Sequence, residues 1–431
     1  MLAVQAGFAR PGRLWQATEL ATDTNMGRPD RSARNGISRR GVIAVLLTGA
    51  FGATRVRADV STVRIGYIRS MIRHPTISLL DQPTRDAGLA GAKLGLDDDN
   101  TTGSVTGQNF ELIDVPVRKN PNLPAALDKL AGQNARIVMT DLPAGGVLAL
   151  ADAARPRDMT IINIAAPDDS LREQDCRANM IHVAPTRSML ADAVAQYLVW
   201  KKWTRWLLVV GSHPSDQLLA EAYRRAAKRF GARIVMEKVS EDTGGSRESD
   251  SGVVQTQQQM PVLTQGAPDY DVLVAADENQ VFAGYLPYRT WDPRPVAGSA
   301  GLEPVTWDAS SESWGGTQLQ DRFERLFHRR MMPLDMQAWT GVRIVGEAAA
   351  RSGSTDPDKL VTTIKSPDFG IAAYKGQLLT LRDWDLQLRQ PILLADGRTI
   401  VSISPQPGFL HQVTTLDTLG VDRPETKCKL Q

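Results

Sequence analysis

From Val63 onward the chain repeats one pattern, a short apolar run, a turn and a helical stretch, and this repeat limits the folds open to it. TVRIGYI (62–68), FELIDVPV (110–117), ARIVMTD (135–141) and MTIINIAA (159–166) read as strands, being short, bounded by turn residues and rich in Val and Ile. Between them Leu89, Ala92 and Leu96 recur at helical spacing within 84–99, and further helices are expected over 124–133 and 146–157. Strands alternating with helices give a parallel sheet with helices on both faces. A second set follows: helix 187–202, strand WLLVVGS (206–212), helix 215–230, strand ARIVMEK (232–238) and strand DVLVAADE (271–278). Two α/β lobes are therefore expected.

The rest of the chain is less regular. EDTGGSRESDSG, starting at Glu241, has no core-forming period and reads as a surface loop. Helices are expected over 318–328 and 337–351, and residues 375–404 read as alternating strands with an Asp396-Gly397 hairpin turn.

SRRGVIAVLLTGAFGATRVRADV (38–60) has an apolar run of about 14 residues, short of the roughly 20 that span a bilayer, so no stable membrane span is expected. Arg39 and Arg40 precede the run, and Val56-Arg57-Ala58 approximates the small-x-small cleavage pattern of secretory leaders. Residues 1–58 read as a signal peptide, with Met26 as an alternative start. The paired arginines admit either the Sec or the twin-arginine route to the periplasm; a buried amphipathic helix is the other reading of the run.

Removing residues 1–58 takes away nine Arg against Glu19, Asp23 and Asp30, so the formal charge falls from +2 to −4. A nucleic-acid partner, which needs a basic field, is not expected. The remaining 373 residues exceed what one core usually organises. Cys176 and Cys428 are the only cysteines. In an exported chain they form a disulfide candidate, with two free thiols as the alternative. Asp97-Asp98-Asp99-Asn100 is not an EF-hand loop, because Thr102 stands where Gly is needed and Gln108 where Glu is needed. Ser299 in Ala297-Gly298-Ser299-Ala300-Gly301, with His328 and His411 downstream, lacks the strand-turn-helix of a nucleophile elbow, so an enzyme is not expected.

The series VRIGYI, LGLDDDN with GSVTGQNFELI, ARIVMTDLPAGG, TIINIAAPDDSLR, WLLVVGSHPSDQLLAEAYRRAAKRFGARIV, PDYDVLVAADE and AWTGVRIVGEAAARSG resembles the type I periplasmic solute-binding proteins of the leucine/isoleucine/valine-binding kind. The resemblance implies two doubly wound Rossmann-like lobes joined by a three-stranded hinge, with lobe 1 at 59–184 plus 304–390 and lobe 2 at 185–303 plus 391–431. It also implies a monomer working with an ABC transporter permease. The amino-acid binders of the family carry small hydroxyl residues after the third and fourth strands. This chain has Asp141-Leu142-Pro143-Ala144 and Ala165-Ala166-Pro167-Asp168 there, so the residues that would carry amino-acid specificity over are not in place.

HVAPTRSMLADAVAQYLVWKKWTRWLLVVGSHPSD and PQPGFLHQVTTLDTLGVDRPETKC resemble the branch associated with alcohol oxidation dependent on pyrroloquinoline quinone (PQQ). That likeness implies PQQ as bound ligand, with no cofactor required. PQQ is a flat quinone with three carboxylates and needs a stacking plane and cations. Ligands of open α/β sheets lie beyond the strands' carboxyl ends. Candidates there are Arg69, His74 and Arg85 after the first strand, Asp141 after the third, Arg187 and His213 in the second set, and Glu278 at a strand end. Trp291 and Trp307 are candidate stacking plates; Trp200, Trp203 and Trp206 read as core. Alternatives are an amino acid, another small alcohol-oxidation metabolite, or a ligand-sensing subunit. The exported protein should begin at Asp59, which N-terminal sequencing reads directly; an intact residue 58 would overturn the leader assignment.

Overall fold

The computed structural model describes residues 61–72, 84–242 and 256–430, all within one compact unit, Arg57–Gln431. The leader, His74 and most of the Glu241 insertion lie outside the described residues.

The first sheet is built from β1 (Ser61–Ser70), α1 (Leu89–Thr106), β2 (Gln108–Val117), α2 (Leu123–Ala131), β3 (Ile137–Thr140), α3 (Ala144–Ala154), β4 (Thr160–Asn163) and β5 (Met180–His182). Its strands run parallel in the order β2-β1-β3-β4-β5. Every residue of β3 and β4 is buried, the signature of parallel strands covered on both faces. Leu127 and Leu130 of α2 and Leu150 of α3 pack on Ile68, Val138 and Ile161 on one face.

The second sheet comprises α4 (Arg187–Trp200), β6 (Arg205–Gly211), α5 (Pro214–Phe230), β7 (Arg233–Ser240), α6 (Thr256–Thr264), β8 (Val272–Ala276), α7 (Leu286–Arg289) and β9 (Val296–Gly298), with strand order β7-β6-β8-β9. Val194 and Tyr223, from α4 and α5, cover Trp206, Leu208 and Val274 on one face. Met260 and Leu286, from α6 and α7, cover Leu207, Val209 and Leu273 on the other.

After β10 (Glu303–Val305) the chain returns to the first sheet with α8 (Gly316–Phe327), α9 (Pro333–Ser352) and α10 (Pro357–Ile364). Phe323, Val342 and Leu360 join Ile65, Met139 and Ile162 on its second face. It then forms β11 (Ile371–Ala372) and β12 (Leu378–Leu379), and leaves to form β13 (Ile392–Ala395) and β14 (Ile400–Ser404). Asp396 closes the β13–β14 turn by accepting the Arg398 and Thr399 N–H groups, as the Asp-Gly turn in the sequence suggests. Ile392 and Leu394 complete the core under α4.

α1 runs past the expected end at Asp99 to Thr106, so the three aspartates lie mid-helix and face partners. Asp98 accepts the Trp339 indole N–H at 2.8 Å and pairs with Arg322. Asp99 is buried and pairs with Arg343 of α9. The helices approach so closely that a Cβ on Gly346 would fall on the Asp99 carboxylate, and one on Gly91 would fall 1.9 Å from the Asp335 carbonyl.

The chain passes between the two sheets three times, at 183–186, 306–315 and 380–391. The third passage pairs with the end of β5 and with the first passage: His182 N–H donates to the Leu386 carbonyl, Leu388 N–H to the His182 carbonyl, and the Gln390 side chain to the Val183 carbonyl. The second is attached by the buried Lys375 ammonium, which donates to the Thr306 carbonyl. Arg172 fixes the junction. It is 2% exposed and donates to Gln387 Oε1 at 2.8 Å and to the carbonyls of Ala166, Asp168 and Ala184. Burial pushes its pKa down to about 10.

The tail crosses back as well. Leu419 packs under α4, whereas Thr426 and Lys427 bond Glu173, and Cys428 is disulfide-bonded to Cys176 near the first sheet. Arg172→Met keeps most of the volume but strands these acceptors. It should lower the unfolding free energy by about 3 kcal/mol, measured by urea titration; an unchanged midpoint would remove Arg172 from the junction.

Candidate functional site

In a parallel sheet all carboxyl ends lie on one edge, so the loops after β1, β3 and β4 gather at the rim of the first sheet, and those after β6 and β8 at the rim of the second. Arg69 ends β1 but is not free. Its Nε and Nη2 fork the Asp114 carboxylate of β2 at 2.9 and 3.0 Å, and Nη1 donates to the Arg85 carbonyl. The Asp114 hydrogen bonds raise its pKa. Arg85 itself is exposed. Asp141, after β3, accepts the Ser70 N–H at 2.5 Å and the Tyr67 hydroxyl at 3.1 Å. Burial raises its carboxyl to about 6 despite those bonds.

Arg187 opens α4, where the Thr186 hydroxyl caps the helix by accepting the Met189 N–H. It is 5% exposed and binds acids from both sheets. Glu278, after β8, accepts from Nε and Nη2 at 2.5 and 2.6 Å. Asp168, after β4, pairs with Nη1 at 3.0 Å. Burial opposes the charge of Arg187, but Glu278 and Asp168 outweigh it and raise the pKa. Two further bonds dock the β4 loop on the first turn of α4: Arg187 N–H donates to the Pro167 carbonyl and Ser188 N–H to Asp169. A cavity of about 620 Å³ beside the triplet is bounded by Asp168, Arg187, Arg225, Glu425 and Lys427. The triplet carries one net negative charge. It can hold a ligand cation directly, or a ligand anion if a carboxylate gives way.

His213 caps α5, and its Nε2 lies 2.7 Å from Asp242. Asp216 accepts the His213 and Asn279 N–H groups, tying the β6 loop to the β8 loop. Asp277 is a turn residue, accepting the N–H groups of Val281, Phe282 and Ala283. Ser299 accepts the Asp277 N–H, a structural bond.

The two tryptophans proposed as plates are not brought to this edge. Trp307 is 1% exposed in the core of the first sheet, its indole N–H donating to Gln320 at 3.3 Å. Trp291 is 56% exposed but sits ahead of β9, at the amino edge, where its N–H donates to Thr264 of α6. Trp206 is core and Trp203 packs against it, as expected, whereas Trp200 is 47% exposed. Asp168 and Arg172 escaped sequence reasoning because PDDSLREQD resembles a solvated run, and only the adjoining strand end hinted otherwise.

Comparison with known proteins agrees with this architecture. Residues 80–269 match the family model described as periplasmic binding protein. That match covers a little under half of the chain, and the fold as a whole is similar to that of the type I periplasmic binding proteins. No curated protein matches it. A periplasmic binding protein from Burkholderia mallei is 16% identical with a TM-score of 0.62, covering 86% of this chain and 99% of its own. A leucine-, isoleucine-, valine-, threonine- and alanine-binding protein from Brucella ovis, in a closed conformation, is 13% identical with a TM-score of 0.61, covering 78% and 89%. An ABC-transporter solute-binding protein from R. palustris in complex with benzoate is 11% identical with a TM-score of 0.61, covering 86% and 100%. The matched family and these neighbours are solute-binding proteins, not enzymes. Among the described residues no helix is long and apolar enough to cross a membrane.

The raised pKa of Asp141 has a stability consequence. Between 3.8 and about 6 the folded protein holds a proton that the unfolded chain releases, so stability falls as pH rises through that window. Asp141→Asn should flatten this part of the curve by up to about 1.4 kcal/mol per pH unit, read by urea unfolding across the window. An unchanged slope would show that Asp141 titrates normally.

Proposed function

We propose that the chain is the solute-binding component of an ABC-type uptake system in the periplasm, and that its ligand is PQQ. The lobes, 59–184 plus 304–390 and 185–303 plus 391–431, close on the ligand as a monomer, and the closed form engages a permease. The observation that carries this reading is the Asp168–Arg187–Glu278 triplet, in which one buried arginine joins acids from the rims of both sheets. These contacts exist together only when the rims are close, so a ligand that bonds this cluster favours the closed state over the open one.

A PQQ carboxylate would take the place of Glu278 on Arg187, exchanging one charge-assisted fork for another. The sequence likeness to the PQQ-associated branch and the arginines at both rims support this ligand. A second reading, an amine-bearing solute such as an amino acid, is favoured by the net negative charge of the triplet, which would receive an ammonium without any exchange. The neighbours' ligands span both chemistries, benzoate in one and aliphatic amino acids in another.

Calorimetric titration separates the two readings. PQQ should bind one equivalent, and Arg187→Ala should weaken it by about 1.5–3 kcal/mol. Glu278→Gln, which weakens the competing carboxylate, should tighten PQQ; for an amino acid it should weaken binding. Heat from amino acids and none from micromolar PQQ would replace the first reading with the second.

A further inference from the structure

A second cavity, of about 1080 Å³, lies by the amino end of β5, away from the carboxyl rim of the first sheet. One wall is Ala178, just ahead of the amino end of β5, with Lys365, just past α10. The third passage supplies Leu381, Trp384 and Leu386, and the C-terminal tail supplies Leu410 and Val413. Leu410 and Val413 are 84% and 78% exposed, so the mouth shows apolar side chains to water.

The charged groups lining this cavity are almost all used internally. The Arg382 and Arg389 guanidinium groups each lie 5.2 Å from the Trp384 ring centroid, and both are bonded to Asp417. Arg423 pairs with Asp383, and His411 with Asp422. Lys365 differs, since its ammonium donates to the Ala178 carbonyl at 2.7 Å and has no carboxylate partner among the described residues. The Trp384 indole N–H is buried, also without an acceptor among them. A cavity walled by one tryptophan, aliphatic side chains and internally paired charges, with one unneutralised cation and one unused donor, is chemically complementary to a ring bearing a single negative charge.

We propose that this cavity is a second ligand site, separate from the cleft, that takes a small aromatic carboxylate. The ring packs among Trp384, Leu386, Leu410 and Val413, and the carboxylate meets Lys365. Because Leu386 also accepts the His182 N–H at the junction of the passages, occupancy acts on the segment linking the two sheets.

The test is calorimetry with benzoate as probe, with acetate and benzyl alcohol as its charge-only and ring-only counterparts. Benzoate should bind with one equivalent, and acetate and benzyl alcohol at least about tenfold more weakly. Lys365→Gln, at the cavity wall, should cost about tenfold, as should Trp384→Leu, while Arg187→Ala should leave this binding unchanged. Binding that survives Lys365→Gln, that is lost in Arg187→Ala, or that acetate matches would overturn the proposal, as would no binding of benzoate. Lys365→Gln decides the matter even where Trp384→Leu fails to fold.

Discussion

The Arg172 guanidinium occupies the point where the loop after β4, the first passage and the third passage meet. Its donors reach carbonyls of two of these segments and the Gln387 side chain of the third. Burying a charge is costly, so the arrangement holds only while those acceptors stay in place. The same loop carries Asp168 and Asp169 to the first turn of α4. The orientation of Arg187, and with it the chemistry of the rim, therefore depends on a residue that reaches the triplet only through the Asp168 backbone carbonyl.

Arginines are mostly internal fasteners in this protein. Arg69 is spent on Asp114, Arg329 on Asp335, Arg343 on Asp99, and Arg225 with Arg229 on Asp192, which is fully buried. Burial raises the Asp192 carboxyl to about 6 despite its two cations. A ligand acid thus enters a site whose cations already have partners. Selectivity then comes from the difference between two ion pairs, not from the strength of one.

The two sheets were legible because parallel strands covered on both faces need continuous apolar runs, and IVMT, TIIN, WLLVVG and VLVAA supply them. The hairpin at Asp396 and the core position of Trp206 followed from local chemistry in the same way. The end of α1 did not, because three aspartates in a row look like a helix terminus until partners on α8 and α9 are known. Trp307 and Trp291 were misread for a related reason. Loop-rich sequence does not reveal whether a tryptophan faces the core, the amino edge or the carboxyl edge; strand order settles that. Arg187 and Glu278 could be placed at the rim because helix starts and strand ends mark it, but their bond to each other belongs to tertiary structure.

The Cys176–Cys428 bridge spans 252 residues of sequence, and Cys428 follows every strand of both sheets along the chain. During synthesis the second sulfur appears only after the strands of both sheets have been made. The bridge therefore guides none of the earlier pairings. It acts as a latch on sheets already formed, tying the segment that follows β14 to the one that follows Arg172.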